Sequence, residues 1–188
     1  MKAFNFIKKP MICSCLIAVV LSFSACKVPE DKVLISLGEY KNCVYYTQGE
    51  FQDYTDYAKY YYESVDFTEN AFFTKIKDSD LTKINEHLDD FESWIETYRK
   101  NDDSQEIVVN FDFNRTIIDN EDYIYIDSEK MTTTWDNGTT TTTLVNYDVY
   151  FFDTQTQILY YFHNNIWLLW FSLFCLPLHR LLSKNSNN

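Results

Sequence analysis

Residues 78–99 read DSDLTKINEHLDDFESWIETYR, and this stretch decides the main helix of the fold. Apolar side chains recur in it every three or four residues, which is typical of a helix with one buried stripe. The stripe consists of Leu81, Ile84, Leu88, Phe91, Ile95 and Tyr98, with Trp94 beside it. Asp78 or Ser79 is placed to cap the N-terminus, and Arg99 lies at the end where the helix dipole favours a cation. We therefore predict an amphipathic helix over this stretch.

Beyond this helix the apolar period changes to two, which is the period of a half-buried strand. Four strands are predicted, at Ile107–Phe113, Tyr123–Ile126, Tyr147–Phe152 and Ile158–Phe162. The sequence WDNG at 135–138 indicates a hairpin, because Asn-Gly accepts the positive φ of a type I′ turn. One helix followed by four strands predicts an α+β domain, in which an antiparallel meander of about four strands carries the helix on one face.

The composition is that of one acidic globular domain. The chain has 188 residues, of which 46% are hydrophobic and 18% aromatic, and this is enough to bury a core. Its net charge of −12 becomes −15 after Cys26, because three lysines and no acidic residue precede that position. So acidic a surface repels phosphate backbones and anionic lipid headgroups. Nucleic acid is therefore not an expected partner, and charge does not draw the domain to a membrane.

The N-terminus has the three regions of a signal peptide. Lysines supply the positive region, residues 11–23 are apolar and uncharged, and small residues precede Cys26. The sequence LSFSAC at 21–26 resembles the lipobox of bacterial lipoproteins, although Phe23 stands where that family usually has leucine. The resemblance implies removal of residues 1–25 and lipid attachment to Cys26. It places the domain at the extracytoplasmic face of the cell membrane.

Two longer segments, EFQDYTDY at 50–57 and YFFDTQTQILYYFHNN at 150–165, are similar to small uncharacterised surface lipoproteins of Gram-positive bacteria. This resemblance implies a location and no known activity. The sequence predicts four parts: a signal peptide at 1–25, the lipidated cysteine and a polar tether at 26–38, a single α+β domain at 39–165, and an apolar tail at 166–188.

The tail differs in composition from the domain before it. Residues 166–178 are almost wholly apolar, and no acidic residue follows Asp153. This segment is shorter than the roughly 20 residues that span a membrane. Three interpretations stay open: a helix in the headgroup region, a core helix, or an ending foreign to the fold. Cys175 of the tail and Cys43 are the two cysteines left to form a disulfide, and their pairing is also open.

Tyrosine is concentrated between residues 45 and 62, and this segment supplies the candidate binding surface. A tyrosine ring has a flat apolar face and a polar tip, which suits a sugar ring or a protein partner. The candidate residues are Tyr54, Tyr57, Tyr60, Tyr61 and Tyr62. The alternative is that these rings cover the sheet and the helix as core and rim.

No motif predicts a catalytic residue, a metal site or a cofactor. Asp112 with Asp119 and Glu121 is a candidate acid–base pair or cation site, and the segments 119–122 and 78–80 are candidate calcium loops. Neither segment has the glycine and the distal glutamate of a calcium loop, and a solvated strand face with a polar turn explains the same carboxylates. His87 stands alone on its helix, which favours a surface residue.

Three functions fit these observations. The first is a membrane-anchored binding or interaction module with a protein or glycan ligand. The second is an inhibitor or immunity-type protein against a basic partner, which the charge of −15 would steer toward the domain. The third is a hydrolase that uses a pair of carboxylates. In each of them the lipid on Cys26 makes the membrane a partner.

Overall fold

The computed structural model describes residues 31–50 and 53–166 of the chain. The chain divides into two compact units, Met1–Ile35 and Ser36–Asn188. The predicted signal peptide, Cys26 and the tail from residue 167 onward lie outside the described residues. What the sequence predicts for them therefore stays a prediction.

A short helix, α1, covers Lys32–Ser36 near the boundary between the two units. Asp31 caps this helix, since its Oδ1 accepts hydrogen bonds from the backbone N–H of Val33 at 2.8 Å and of Leu34 at 3.2 Å. The described end of the predicted tether thus contains a helical turn.

The second unit is built on one antiparallel sheet. Its strands are β1 (Asn42–Glu50), β2 (Asp53–Tyr61), β3 (Thr74–Lys75), β4 (Tyr123–Thr134), β5 (Thr140–Asp153) and β6 (Ile158–Asn165). The strand order is β1-β2-β6-β5-β4-β3. The predicted α+β class is confirmed, and β4, β5 and β6 form a meander.

The sheet has six strands where the sequence predicts about four. The hairpin of β1 and β2 adds to the edge of β6, and β3 adds to β4. Residues 55–58 of β2 are buried in succession. A strand that is covered on both faces shows no alternation, so its period is ambiguous in the sequence.

The long helix α2 spans Leu81–Asn101 and covers one face of the sheet, here called the helix face. Ile84, Leu88, Phe91 and Ile95 are at most 2% exposed, which confirms the middle of the predicted stripe. Leu81 is exposed, so the stripe begins one turn later than predicted. Within residues 31–50 and 53–166, no helix is long and apolar enough to cross a membrane.

The start of α2 differs from the prediction. Asp78–Asp80 form a 3₁₀ turn before the helix, so neither Asp78 nor Ser79 caps it. The carboxylate that closes this turn belongs to Asp80, whose Oδ2 accepts a hydrogen bond from the backbone N–H of Lys77 at 3.0 Å. Because Asp78 and Ser79 lie within this turn, they do not cap α2, which begins at Leu81.

The strand predicted at Ile107–Phe113 is wrong. Its first part is a short helix, α3, at Glu106–Asn110, which buries Ile107 and Val108 in succession and exposes Val109. Hydrogen bonds to Gln105 O and Ile107 O satisfy backbone groups of the segment locally. Ile107, Val108 and Phe113 of this segment pack into the core on the helix face. The segment forms no strand pairing with the described sheet.

The predicted hairpin between β4 and β5 is confirmed, but its turn type is not I′. Trp135 N donates to Thr139 O and Gly138 N donates to Trp135 O, both at 2.8 Å. Only Gly138 has a positive φ, of 80°, while Asn137 does not. This pattern is that of a longer hairpin loop that places glycine in the left-handed region.

Candidate functional site

The structure separates the five tyrosines that the sequence groups into one surface. Tyr57, Tyr60 and Tyr62 are buried and belong to the core, which corrects their assignment to a binding surface. Tyr54 is exposed and Tyr61 is half-buried. Side chains alternate along a strand, and the positions of these two tyrosines differ by an odd number, so they lie on opposite faces of β2. No single surface contains all five.

The face of the sheet opposite α2, here called the outer face, carries a row of acidic side chains. Strand pairing places Asp56 of β2 beside His163 of β6, His163 beside Asp148 of β5, and Asp148 beside Asp127 of β4. These four residues are here called the acid row. Three carboxylates and one imidazole thus lie side by side across four strands.

A row of tyrosines runs next to the acid row on the outer face. Pairing aligns Tyr45, Ala58, Tyr161, Tyr150 and Tyr125 across the sheet. Beyond them the face becomes apolar and is covered by the segment after β2, whose Phe67 stacks on Tyr123 with ring centroids 3.9 Å apart. The acid row therefore borders a covered aromatic region on one side.

His163 is held on three sides. Its Nδ1 lies 2.8 Å from Asp148 Oδ1, which also accepts a hydrogen bond from the Tyr161 hydroxyl at 2.7 Å. The imidazole stacks with Tyr54 at 4.8 Å between centroids and with Tyr161 at 6.2 Å. Both rings lie within 30° of parallel to it. The imidazole is therefore fixed in orientation.

Two acceptor atoms of the acid row are buried without a hydrogen-bond partner among the described residues. They are Asp56 Oδ1 and His163 Nε2, on side chains that belong to residues only 4% and 8% exposed. The Tyr45 hydroxyl bonds to Asp56, and burial together with this carboxylate raises the pKa of Tyr45. Buried polar atoms are nearly always hydrogen-bonded, and these two belong to residues that are direct partners on adjacent strands.

The acid row was not predictable from motif spacing. Asp56 and His163 are 107 positions apart in the chain, and only the pairing of β2 with β6 brings them together. The alternation of tyrosine and aspartate at 53–57 is a weak signal, because it also fits an ordinary solvated strand. The site depends on strand order, which the sequence analysis did not predict.

The carboxylates that the sequence groups as an acid–base pair each have a separate side-chain partner. Asp112 accepts hydrogen bonds from the Tyr57 hydroxyl at 2.7 Å and from Lys59 at 2.6 Å. Glu121 pairs with Lys75 and Asp119 with Gln155. Each carboxylate has its own structural partner, and no group of His, Cys, Asp or Glu side chains in the described ranges has the geometry to hold a metal ion.

His87 is buried, contrary to the surface position expected for it. Its Nδ1 lies 2.8 Å from Lys83 O, its ring packs edge-on against Tyr147, and burial lowers its pKa. Nearby, burial raises the pKa of Asp90, which accepts a hydrogen bond from the Tyr147 hydroxyl at 3.0 Å. His87 and Asp90 thus contact Tyr147 of β5 and help to pack α2 on the sheet.

Two open grooves lie elsewhere on the second unit. One, of about 450 Å³, is lined by Asp66, Glu69, Asn70 and their neighbours. The other, of about 440 Å³, lies between α2 and the segment after α3 and is lined by Asp89, Glu92, Phe111 and others. Asp66 and Asn70 accept hydrogen bonds from nearby backbone N–H groups, so these polar side chains shape the loop itself.

Comparison of the chain with protein-family models, with curated proteins and with solved structures finds no match. The described part of the chain is an α+β domain with an acidic, tyrosine-lined outer face.

Proposed function

We propose that the chain is an extracytoplasmic lipoprotein, anchored through Cys26, whose α+β domain is a binding module. The ligand contacts the outer face at the acid row. The observation that carries this proposal is the pair of buried, unpartnered acceptors Asp56 Oδ1 and His163 Nε2, which lie beside the exposed rings of Tyr45 and Tyr54.

Folding alone does not account for the acid row. Asp148 and Asp127 are direct cross-strand partners, and like charges placed opposite each other destabilise a sheet. An unpartnered buried acceptor costs further free energy. Arrangements that weaken the folded state are typical of binding sites, where a ligand supplies the missing contacts.

The exposed tyrosines supply the contact area. Tyr45 is 49% exposed and Tyr54 39%, although both lie on strands of the sheet and not on loops. Rigid aromatic side chains that present both a ring and a hydroxyl are enriched at interfaces, because they lose little entropy on binding. Their position on either side of Asp56 centres the proposed contact on the acid row.

The anchor rests on the N-terminal sequence pattern. The charge of −15 after Cys26 gives the domain no attraction to anionic lipid, so lipid on the cysteine is what holds it at the bilayer. A domain held in this way presents its binding face to ligands outside the cytoplasm.

Site-specific photocrosslinking in intact cells tests the binding face. A benzophenone amino acid replaces Tyr45 in one variant and Val109 in another, since Val109 is the most exposed apolar residue of α3. We expect covalent adducts of the first variant and none of the second. Equal labelling at both positions, or labelling at Val109 alone, would show that the outer face is not the binding surface.

A second candidate function is an inhibitor or immunity-type protein for a basic partner. Three carboxylates in the acid row and the overall charge of −15 favour it, because complementary charge accelerates association. Adducts at Tyr45 that contain a basic protein and disappear at high salt support this candidate. Adducts that persist at high salt would instead support a binding module whose ligand is not held by charge.

A further inference from the structure

The unpartnered atoms of the acid row also indicate which chemical group they receive. Resting on the proposed binding function, we propose that the acid row binds the guanidinium group of an arginine side chain from a basic peptide or protein. Asp56 Oδ1 and His163 Nε2 accept hydrogen bonds from the guanidinium, and Tyr45 and Tyr54 flank it.

The acid row has more hydrogen-bond acceptors than donors. Asp148 Oδ1 faces both the Tyr161 hydroxyl and His163 Nδ1, and a carboxylate oxygen only accepts. His163 Nδ1 must therefore be the donor in its contact, and when the imidazole carries a single proton, Nε2 is an acceptor. Asp56 Oδ1 is an acceptor as well, so a ligand that satisfies both atoms must provide at least two donors.

Guanidinium fits this requirement better than the alternatives. Asp56 and His163 are direct cross-strand partners, so their side chains start roughly 5 Å apart. A planar guanidinium carries five N–H groups in a fixed fork and stacks on aromatic rings. A hydroxyl has a single donor, and an ammonium is a compact and strongly hydrated ion. The exposed rings of Tyr54 and Tyr45 provide the stacking surfaces.

The charge around the acid row is not neutralised by the protein itself. Among the described residues, the lysine and arginine side chains that form ion pairs contact Asp89, Glu92, Asp112 and other carboxylates outside the row. Within the row, the contact between His163 and Asp148 is a hydrogen bond. A cationic ligand therefore meets carboxylates that none of these lysine and arginine ion pairs involves.

Entry of the ligand requires a local movement of one side chain. Tyr54 stacks on the imidazole of His163 and also reaches solvent, so we expect rotation of its ring to open the site next to His163. Rotation of a partly exposed side chain is fast compared with peptide association. The same ring can then stack on the bound guanidinium.

Calorimetric titration of the full lipidated chain in detergent micelles tests this assignment. The probes are a blocked peptide of four Arg-Gly repeats, the same peptide with citrulline, which is neutral, and the same peptide with lysine. We expect the arginine peptide to bind most tightly and the citrulline peptide to show no measurable binding. Equal affinity for the arginine and lysine peptides, or any comparable affinity for the citrulline peptide, would overturn the assignment.

Two variants locate the site. Asp56→Asn removes one acceptor charge and keeps the shape of the side chain, and the control Asp103→Asn removes a charge from an exposed loop. We expect Asp56→Asn to weaken binding of the arginine peptide by about tenfold or more, as for loss of a charge-assisted hydrogen bond, and Asp103→Asn to change it less than about twofold. Equal weakening by both variants would mean that net charge alone attracts the peptide.

Two further readouts exclude misfolding and distant binding. Asp56→Asn removes the charge of a buried carboxylate and leaves an amide oxygen that can still accept a hydrogen bond from Tyr45, so its melting temperature should equal or exceed that of the wild type. Nitrogen NMR of the histidine rings should show that the arginine peptide shifts His163, identified by its loss in His163→Gln. Binding without that shift would overturn the assignment. If no peptide binds while Tyr45 still crosslinks in cells, the guanidinium assignment fails and the binding module remains.

Discussion

Phe91 joins three elements at a single residue. Its ring centroid lies 5.2 Å from that of Phe162 on β6, 5.6 Å from Phe111 after α3 and 6.5 Å from Tyr57 on β2. We predict that Phe91→Ala lowers the free energy of unfolding by about 3–5 kcal/mol, through lost burial and the cavity that remains. Urea titration of the variant measures this loss.

The matched control for this prediction is Leu81→Ala on the same helix. Leu81 is exposed, so its truncation should change the free energy of unfolding by no more than about 0.5 kcal/mol. Similar losses in the two variants would mean that α2 does not pack through its central stripe.

His87 makes stability depend on pH in a direction that its burial determines. Burial lowers its folded-state pKa, so the unfolded chain binds the proton more readily than the folded chain. The stability associated with neutral His87 is complete above the unfolded pKa of about 6.5 and is lost as the pH falls below that value. Burial is the largest effect on the pKa of His87, while the hydrogen bond to Lys83 O and the charge of Glu86 raise it and the charges of Lys83 and Lys130 lower it.

We therefore predict a pH-dependent difference between the wild type and His87→Asn. Asparagine retains a donor for Lys83 O and does not titrate. From pH 7.5 to pH 5 the wild type should lose stability relative to the variant, as measured by urea unfolding at each pH. The difference between the two proteins isolates the effect of His87, including its effect on the pKa of Asp90. A constant difference would show that His87 does not change its pKa on folding.

At the scale of elements, the hairpin of β1 and β2 carries half of the proposed site and depends on one glycine. A Cβ at Gly49 would lie 2.1 Å from Asp53 O and 2.6 Å from Tyr54 Cα, both of which are backbone atoms. We predict that Gly49→Ala destabilises the domain by about 1–3 kcal/mol, because the backbone must shift to relieve the overlap. It should also reduce crosslinking from position 45.

Gly138→Ala in the other hairpin is the control for that prediction. A Cβ at Gly138 would meet no atom within 4 Å. Its φ is +80°, however, so alanine is strained there in the left-handed region. The cost should be about 1 kcal/mol and crosslinking should not change. Reduced crosslinking in both variants would mean that general destabilisation, and not the first hairpin, controls binding.

The elements that the sequence predicts correctly are those whose period is set by one buried face. The stripe around Phe91 and the strands that became β4, β5 and β6 meet this condition. At Ile107–Phe113 the alternation of two was misleading, because a short helical turn followed by extended chain also buries the first and last residues, Ile107 and Phe113. In β2 four successive residues, 55–58, are buried, and the period disappears.

The site was less accessible to prediction than the fold. Tyrosine composition indicates an unusual surface, yet Tyr57 and Tyr60 of the interior strand β2, and Tyr62 directly after it, are core residues. Asp56, Asp148 and His163 become neighbours only through the order β2-β6-β5. Long-range strand order depends on the summed packing of the sheet, and no local pattern encodes it.

At the scale of the whole molecule, one cysteine is predicted to decide where the domain resides. We predict that Cys26→Ser abolishes incorporation of labelled fatty acid, because the lipobox pattern at 21–26 offers no other acceptor. The protein should then be released or retain an uncut signal peptide. Cys43→Ser is the matched control and should keep the label, since Cys43 is a half-buried thiol on β1. Undiminished label in Cys26→Ser would contradict the lipoprotein assignment.

The last prediction concerns the apolar tail and follows from where the described domain completes its contacts. β6 ends at Asn165, and Ile166 N still donates to Val145 O at 2.8 Å. The described sheet already has α2 on its helix face, so the fold does not need a further helix there. We predict that a chain ended after Ile166 keeps its melting temperature within about 3 °C, which corresponds to roughly 1 kcal/mol in a domain of this size.

Removal of the tail should also change how the domain meets a bilayer. An exposed apolar segment promotes association, so the shortened chain should be more soluble. In the Cys26→Ser background, a tail that acts in the headgroup region retains the chain on zwitterionic vesicles, and the shortened chain does not bind them. A tail foreign to the fold gives aggregation without vesicle binding. Failure of the shortened chain to fold would contradict the prediction, because the tail would then be a core helix that the sheet cannot lose.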